Sequence, residues 1–241
     1  MPVQTRKRTR QEDPTEAVPK PPRATKRAKR TKDDTSGSTK VATTAKEEVV
    51  AAVASGGRTG PTTKMLFLLR AVNVSGSNPC NMKRLVQLAS DDLGWVNVKT
   101  YLQSGNLVAD VPASLPSDDA SEALRQLLAK SMKVHCAVMV RTLSELNTLI
   151  ENCPYDASDP TKVHAFFLAS AATQEGMDRL ELKPKKDDRY TWDGSNNLYL
   201  QYPNGAGRSA LNGTVLEKSL AVQGTGRNWR SVLAIRELLR E

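Results

Sequence analysis

The chain has 241 residues, 35 Lys+Arg against 26 Asp+Glu for a formal net charge of +9, and only 5% aromatic residues. Residues 1–64 hold 15 of the basic and 7 of the acidic side chains, net +8, which leaves 20 and 19, net +1, for residues 65–241. That near-neutral remainder excludes a phosphate-tracking basic body. The lack of any apolar run near the roughly 20 residues of a bilayer span excludes a membrane helix, and three scattered cysteines exclude a disulfide framework.

The chain opens on a tail. Every Phe, Trp, Tyr and Cys lies after Lys64, so residues 1–64 cannot bury enough apolar surface to offset chain entropy, and disorder is expected. Two basic clusters, Arg6-Lys7-Arg8-Thr9-Arg10 and Lys26-Arg27-Ala28-Lys29-Arg30, flank a proline-bearing, partly acidic spacer. The pattern is that of a bipartite nuclear localisation signal, read by an import receptor with an acidic groove, and the expected location is the nucleus, with cytoplasm as the alternative. A mitochondrial presequence fits less well, because Glu12, Asp13, Glu16 and the prolines interrupt a basic helix. The same charges would draw nucleic acid non-specifically. Val41 to Ser55 has a weak helical pattern and reads as a linker before Gly56-Gly57.

After the tail, Met65-Leu66-Phe67-Leu68-Leu69 reads as a central strand buried on both faces. Asn81 caps a predicted helix from Met82 to Leu93, stopped by Gly94. Val96 to Leu102 alternates as a strand, Ser104-Gly105-Asn106 turns, and Leu107 to Val111 returns as its hairpin partner. Asp118 to Met132 is a helical pattern and Lys133 to Val140 a strand. Thr142 caps a further helix that ends near Asn152, before Pro154. The order then recurs: strand His164 to Leu168, helix Thr173 to Leu180, strand Arg189 to Trp192, turn Asp193-Gly194-Ser195-Asn196, strand Asn197 to Tyr202, helix Ser209 to Leu220. A short strand over Ala221 to Thr225 and a final helix from about Asn228 complete the chain.

Strand, helix, strand, strand, helix, strand is the split βαβ, or ferredoxin-like, order. The expected fold is α+β: tandem duplicated ferredoxin-like sandwiches over residues 65–153 and 154–241, behind a disordered tail of residues 1–64.

Three motifs carry a resemblance. Arg70-Ala71-Val72-Asn73-Val74-Ser75-Gly76-Ser77-Asn78, Thr100-Tyr101-Leu102-Gln103-Ser104-Gly105-Asn106 and Thr225-Gly226-Arg227-Asn228-Trp229-Arg230-Ser231-Val232 resemble the R-G-I-N-V-G-G-x-N, T-Y-x-Q-S-G-N and T-x-R-N-W-x-T-V segments of a largely bacterial family, domain of unknown function sixteen ninety-seven. Asn152-Cys153-Pro154-Tyr155 and Tyr199 to Gly205 are similar to two further family segments. The resemblance covers nearly all of residues 65–241 and implies a duplicated ferredoxin-like fold and no established activity. Ala71 and Ser75 stand where the family has glycine, which weakens a requirement for bare backbone in that loop.

The candidate site follows from the same motifs. Arg70 ends a buried strand and needs a partner or a ligand. Gly205-Ala206-Gly207-Arg208 leads into a helix that Ser209 can cap, an arrangement able to hold a phosphate or carboxylate. If Arg70, Arg208 and Arg227 converge, they form an anion pocket with Asn73, Asn78, Asn106 and Asn228 as neutral donors, beside Ser104, Ser209 and Trp229. The competing reading has these residues as hydrogen-bonding clasps that join the repeats. Ser104 is the candidate nucleophile for phosphoryl- or acyl-type chemistry, with no His nearby in sequence as its base. His135 and His164 read as packed or hydrogen-bonded strand residues, and the His and Cys spacing gives no metal site and no cofactor. Phe67, Tyr101, Phe166, Tyr199 and Tyr202 read mostly as core and not as stacking platforms for RNA. The leading expectation is a non-catalytic module that holds an anionic ligand at the repeat junction. An enzyme using the same pocket and a ligand-free structural module are the alternatives.

Overall fold

In the computed structural model, residues 60–74 and 78–241 are described. The tail with its basic clusters, its expected disorder and Val41 to Ser55 lie outside the described residues, as do Ser75, Gly76 and Ser77. The first strand, β1 (Thr62–Leu69), is buried from Met65 onward, because its alternating side chains enter two different apolar clusters. Met65, Phe67 and Leu69 face one and Leu66 and Leu68 the other. Helix α1 (Met82–Asp91) starts at the expected cap, with Asn81 accepting the Arg84 N–H. Strands β2 (Val96–Tyr101) and β3 (Asn106–Pro112) form the hairpin, and α2 (Ser117–Leu127) runs on into a π-helical turn over Leu128–Met132. Strand β4 (Val138–Thr142) closes the first sheet, and α3 (Leu143–Glu151) follows behind a Thr142/Glu145 capping box.

The second half comprises β5 (Val163–Leu168), α4 (Gln174–Glu181), β6 (Arg189–Trp192), β7 (Asn197–Gln201), α5 (Gly213–Leu220), β8 (Gly224–Asn228) and α6 (Trp229–Arg240). The sheets are wholly antiparallel and share one connectivity, β2-β3-β1-β4 and β6-β7-β5-β8. The fold is therefore α+β, with two four-stranded antiparallel sheets and six helices among the described residues.

Three apolar clusters set the layers. Helices α1 and α2 cover one face of the first sheet, where Phe67 stacks on Trp95 with ring centroids 4.6 Å apart. Helices α4 and α5 cover one face of the second sheet, around Phe166, Leu180, Leu200 and Leu216. The middle cluster belongs to both halves: Leu66, Leu68 and Met139 meet Phe167 and Tyr199 across α3 and α6, which contribute Leu146 and Trp229. A fully buried Leu or Phe is worth about 1.5–3 kcal/mol, so the shared layer contributes to holding the two sheets together.

Three expectations shift. Val134 to Ala137 lie outside β4: the Val134 N–H closes the π turn on Leu128 O at 3.1 Å, and pairing with β1 begins at Val138. Helix α5 starts at Gly213 and not at Ser209. The Ser209 hydroxyl accepts the Leu211 N–H and donates to Asp188 Oδ2 at 2.7 Å, while Asn212 supplies the cap. Strand β8 begins at Gly224 and not at Ala221, whose left-handed backbone (φ 56°) ends α5.

Candidate functional site

The arginines of the candidate pocket have three different environments. Arg227, on β8, is 7% exposed and reaches into the turn between β2 and β3. Its Nε donates to Asn106 Oδ1. Nη1 donates to Thr225 Oγ1 at 2.7 Å and Gly226 O at 2.8 Å, and Nη2 to Ser104 O at 2.9 Å, Leu69 O at 3.1 Å and Gly105 O at 3.3 Å. All three guanidinium nitrogens are engaged by neutral oxygens, and no carboxylate among the described residues pairs with them. Burial pushes its pKa down to about 10, so the group remains charged at neutral pH. The clasp reading therefore holds for Arg227.

Arg70 leaves the end of β1 toward α5, where its Nε and Nη2 grip both oxygens of Glu217, the latter at 2.6 Å. That bidentate bond raises the guanidinium pKa. Burial pulls the Glu217 carboxyl up, but the Arg70 bond, the Gly224 N–H at 2.8 Å and the Arg70 charge together hold it below its ordinary value. Arg208 lies elsewhere, exposed in a 3-10 turn over Ala206–Arg208. The expected convergence of three arginines is thus corrected: Arg70 and Arg227 border one groove, and Arg208 and Ser209 do not.

The amides are structural as well. Asn73 brackets Cys80, donating to its carbonyl at 2.9 Å and accepting its N–H at 2.8 Å, and also donates to Gln103 O at 2.7 Å. It thereby ties the loop after β1 to the β2–β3 turn. Asn78 makes two long bonds of 3.5 Å, to Ala71 O and His135 O. Asn106 is 1% exposed and donates to Tyr101 O and Ser104 Oγ. Asn228 caps α6 through the Ser231 N–H at 2.9 Å, and Trp229 sits in the middle cluster. Ser104 is exposed on the groove, with its Oγ held by the Asn106 amide at 3.0 Å. An amide cannot accept the hydroxyl proton, so this contact does not activate a nucleophile.

The groove, about 690 Å³, runs between the loop from Arg70 to Val74 and the start of α5 with β8. Its walls carry three cations (Arg70, Lys218 and Arg227) and one carboxylate, Glu217, beside the apolar Val72, Phe166 and Val215. Gly224 is required here by Phe166, because a Cβ on it would lie 2.3 Å from the ring, whereas one on Gly226 would make an ordinary contact at 3.5 Å.

Sequence reasoning missed Glu217, Lys218 and above all Arg141. Arg141, on β4, is 5% exposed, lies 5.6 Å from the Phe167 ring centre, and bonds Asn197 Oδ1, Leu168 O and Asn196 O. The signal that could have found it is the repeat of an arginine and a capping residue before a helix, Arg141-Thr142 and Arg227-Asn228. His135, expected in a strand, is exposed before β4, where the chain has not yet joined the sheet. His164 packs edge-on to Tyr202, 5.1 Å between ring centres, and burial lowers its pKa. Burial also raises the Cys80 thiol to about 11. No group of three or more His, Cys, Asp or Glu that could hold a metal ion occurs among the described residues. No helix among them is long and apolar enough to cross a membrane.

Among solved structures, the chain is similar to the conserved bacterial protein SP0830 from Streptococcus pneumoniae. The TM-score is 0.59 at 20% identity, over 74% of this chain and 99% of that one, a likeness that shows the fold alone. No curated protein matches the chain. A family model described as "Protein of unknown function (DUF1697)" matches residues 62–199, from β1 into β7, so the motif at Thr225 to Val232 lies beyond the matched span. On that match, which covers more than half of its length, the chain belongs to the DUF1697 family.

Proposed function

We propose that this protein is a binding module and that its ligand, bearing a phosphate or carboxylate group, lies in the 690 Å³ groove between the loop after β1 and the start of α5. The observation that carries the reading is the charge of the groove wall: three cations against one carboxylate. Arg70 is paired with Glu217, so the surplus charge is that of the exposed Lys218 and of Arg227, which is buried with no carboxylate partner among the described residues and raises the local potential where water is partly excluded. The first turn of α5, Gly213 to Val215, opens onto the same groove, and helix starts favour anions. Val72, Phe166 and Val215 offer apolar contact to the rest of a nucleotide-sized ligand.

The test is thermal shift of the full chain with pyrophosphate, nucleotides and short oligonucleotides. A ligand at 100 times its Kd adds roughly 2.7 kcal/mol. Lys218→Glu should remove the gain, since Lys218 is exposed and outside the arginine clasps. No gain with any of these anions sinks the reading. A second reading, a structural or interaction module without a ligand, is favoured by the complete engagement of the Arg227 nitrogens. It predicts that Arg227→Ala destabilises the fold and alters no anion response. For phosphoryl or acyl transfer, Ser104 has only the Asn106 amide on its hydroxyl and, among the described residues, no base to activate it.

Two companion proposals concern the rest of the chain. The shared connectivity of the two sheets supports a duplicated ferredoxin-like unit with its boundary near Cys153 and Pro154. The paired basic clusters support a nuclear address; deleting residues 1–40 from a large reporter fusion should abolish nuclear accumulation, and unchanged accumulation refutes it.

A further inference from the structure

The arginine clasps come as a matched pair, and from that pairing we infer that the two halves are an internal dimer locked by exchange of buried guanidinium groups, so that neither half has a native state of its own. The register establishes the correspondence. Arg141 faces Leu66 across β4 and β1, as Arg227 faces Ala165 across β8 and β5. The residue after each arginine caps the following helix, Thr142 for α3 and Asn228 for α6. Each arginine sends Nη1 to the carbonyl of the residue before it, Val140 or Gly226, at 2.8 Å in both cases.

Apart from the Arg227 Nη1 bond to Thr225 Oγ1, the remaining bonds cross to the other half. From β4, Arg141 reaches Leu168 O at the end of β5 (3.0 Å), Asn196 O (2.9 Å) and Asn197 Oδ1 at the start of β7 (3.2 Å from Nε). From β8, Arg227 reaches Leu69 O at the end of β1, Gly105 O, and Asn106 Oδ1 at the start of β3. The acceptor turns match too: the Leu69 N–H bonds Gly105 O and the Leu168 N–H bonds Asn196 O, each at 2.8 Å. Burial lowers the pKa of both arginines. Every crossing acceptor is a backbone carbonyl or an amide oxygen, which only the opposite half supplies.

The physical consequence is mutual dependence. Parting the halves exposes the middle cluster, Leu66 and Leu68 on one side and Phe167 and Trp229 on the other. It also breaks every crossing bond of both arginines, whose donors and acceptors then pass to water. Removing one member of a buried charged pairing is far costlier than losing an exposed pair. One half cannot keep its clasp while the other unfolds, because each clasp has its donor in one half and its acceptors in the other.

The experiment is native-state hydrogen exchange on the full chain at increasing urea, with peptides from β1–β3 and β5–β7 as reporters of the two halves. In the wild type, the slowest amides of both sets should converge on one opening reaction. Arg227→Lys keeps the charge and loses the planar fork; it should speed exchange of those amides in both halves by one common factor, on the order of 10–100-fold. Arg141→Lys should do the same. If either lysine variant fails to fold, Asn106→Ser and Asn197→Ser make the milder cuts with the same demand. Separate opening reactions in the wild type, acceleration confined to one half, or no acceleration in any variant overturns the inference.

Discussion

Ala71 is the residue to change first. Its φ is +51°, in the left-handed region that favours glycine. An L-residue held there costs about 1–2 kcal/mol, whereas glycine adopts the conformation freely at the cost of roughly 0.5–1 kcal/mol of extra chain entropy. The side chain is exposed, so deleting its Cβ opens no cavity. Ala71→Gly should therefore stabilise the protein by about 0.5–1 kcal/mol, which for a folded part of this size is a rise in Tm of about 1–4 °C. The measurement is the urea midpoint and Tm of wild type and variant, with equal m-values as the check that only stability has changed. A midpoint that stays put or falls would refute the argument that this loop carries backbone strain.

Gly105→Ala is the opposite case. Its φ is +79°, and a Cβ would meet Val72 Cγ2 at 2.6 Å and Leu69 Cβ at 2.7 Å; the variant should lose about 2–5 kcal/mol in urea unfolding. Trp229→Ala removes the largest side chain that α6 gives to the middle cluster and should cost about 3–5 kcal/mol by the same assay. Burial depresses the His164 pKa in the folded state below its ordinary 6.5, so the unfolded chain binds the proton more readily. Stability should fall as pH drops below 6.5 and stop falling once pH passes the folded pKa. His164→Gln should flatten that limb of a Tm-against-pH profile, and an unchanged limb refutes the assignment. The folded pKa of Glu217 is lowered, so its contribution should be present above the ordinary carboxylate value and disappear at lower pH. Glu217→Gln tests that separate, more acidic limb.

Sequence reasoning succeeded wherever local chemistry decides. Asn81 and Thr142 are caps in the structure, because a polar oxygen at a helix start fills a backbone donor regardless of the fold around it. Met65 to Leu69 reads as buried on both faces and is. It failed where tertiary contacts decide. The strand Gly224–Asn228 consists, Thr225 apart, of poor strand formers; it pairs with β5, and Gly224 makes room there for the Phe166 ring. Val134 to Ala137 reads as strand, but the Val134 N–H closes the π turn instead and pairing with β1 begins only at Val138. For the site, a set of arginines and amides in short motifs was visible, but their partners were not. Glu217 lies 147 residues from Arg70 and Asn106 lies 121 residues from Arg227, distances at which no local pattern signals a contact. Ser209 resembles a cap in sequence, yet Asn212, three residues on, has the geometry to be one.

The Arg227 acceptors, carbonyl, hydroxyl and amide oxygens, do not titrate at any biological acidity. The Arg70–Glu217 pair, by contrast, gives way once its carboxylate takes a proton. Acid strong enough to protonate a carboxyl held below its ordinary range should thus loosen the lip of the groove while the seam beneath stays shut.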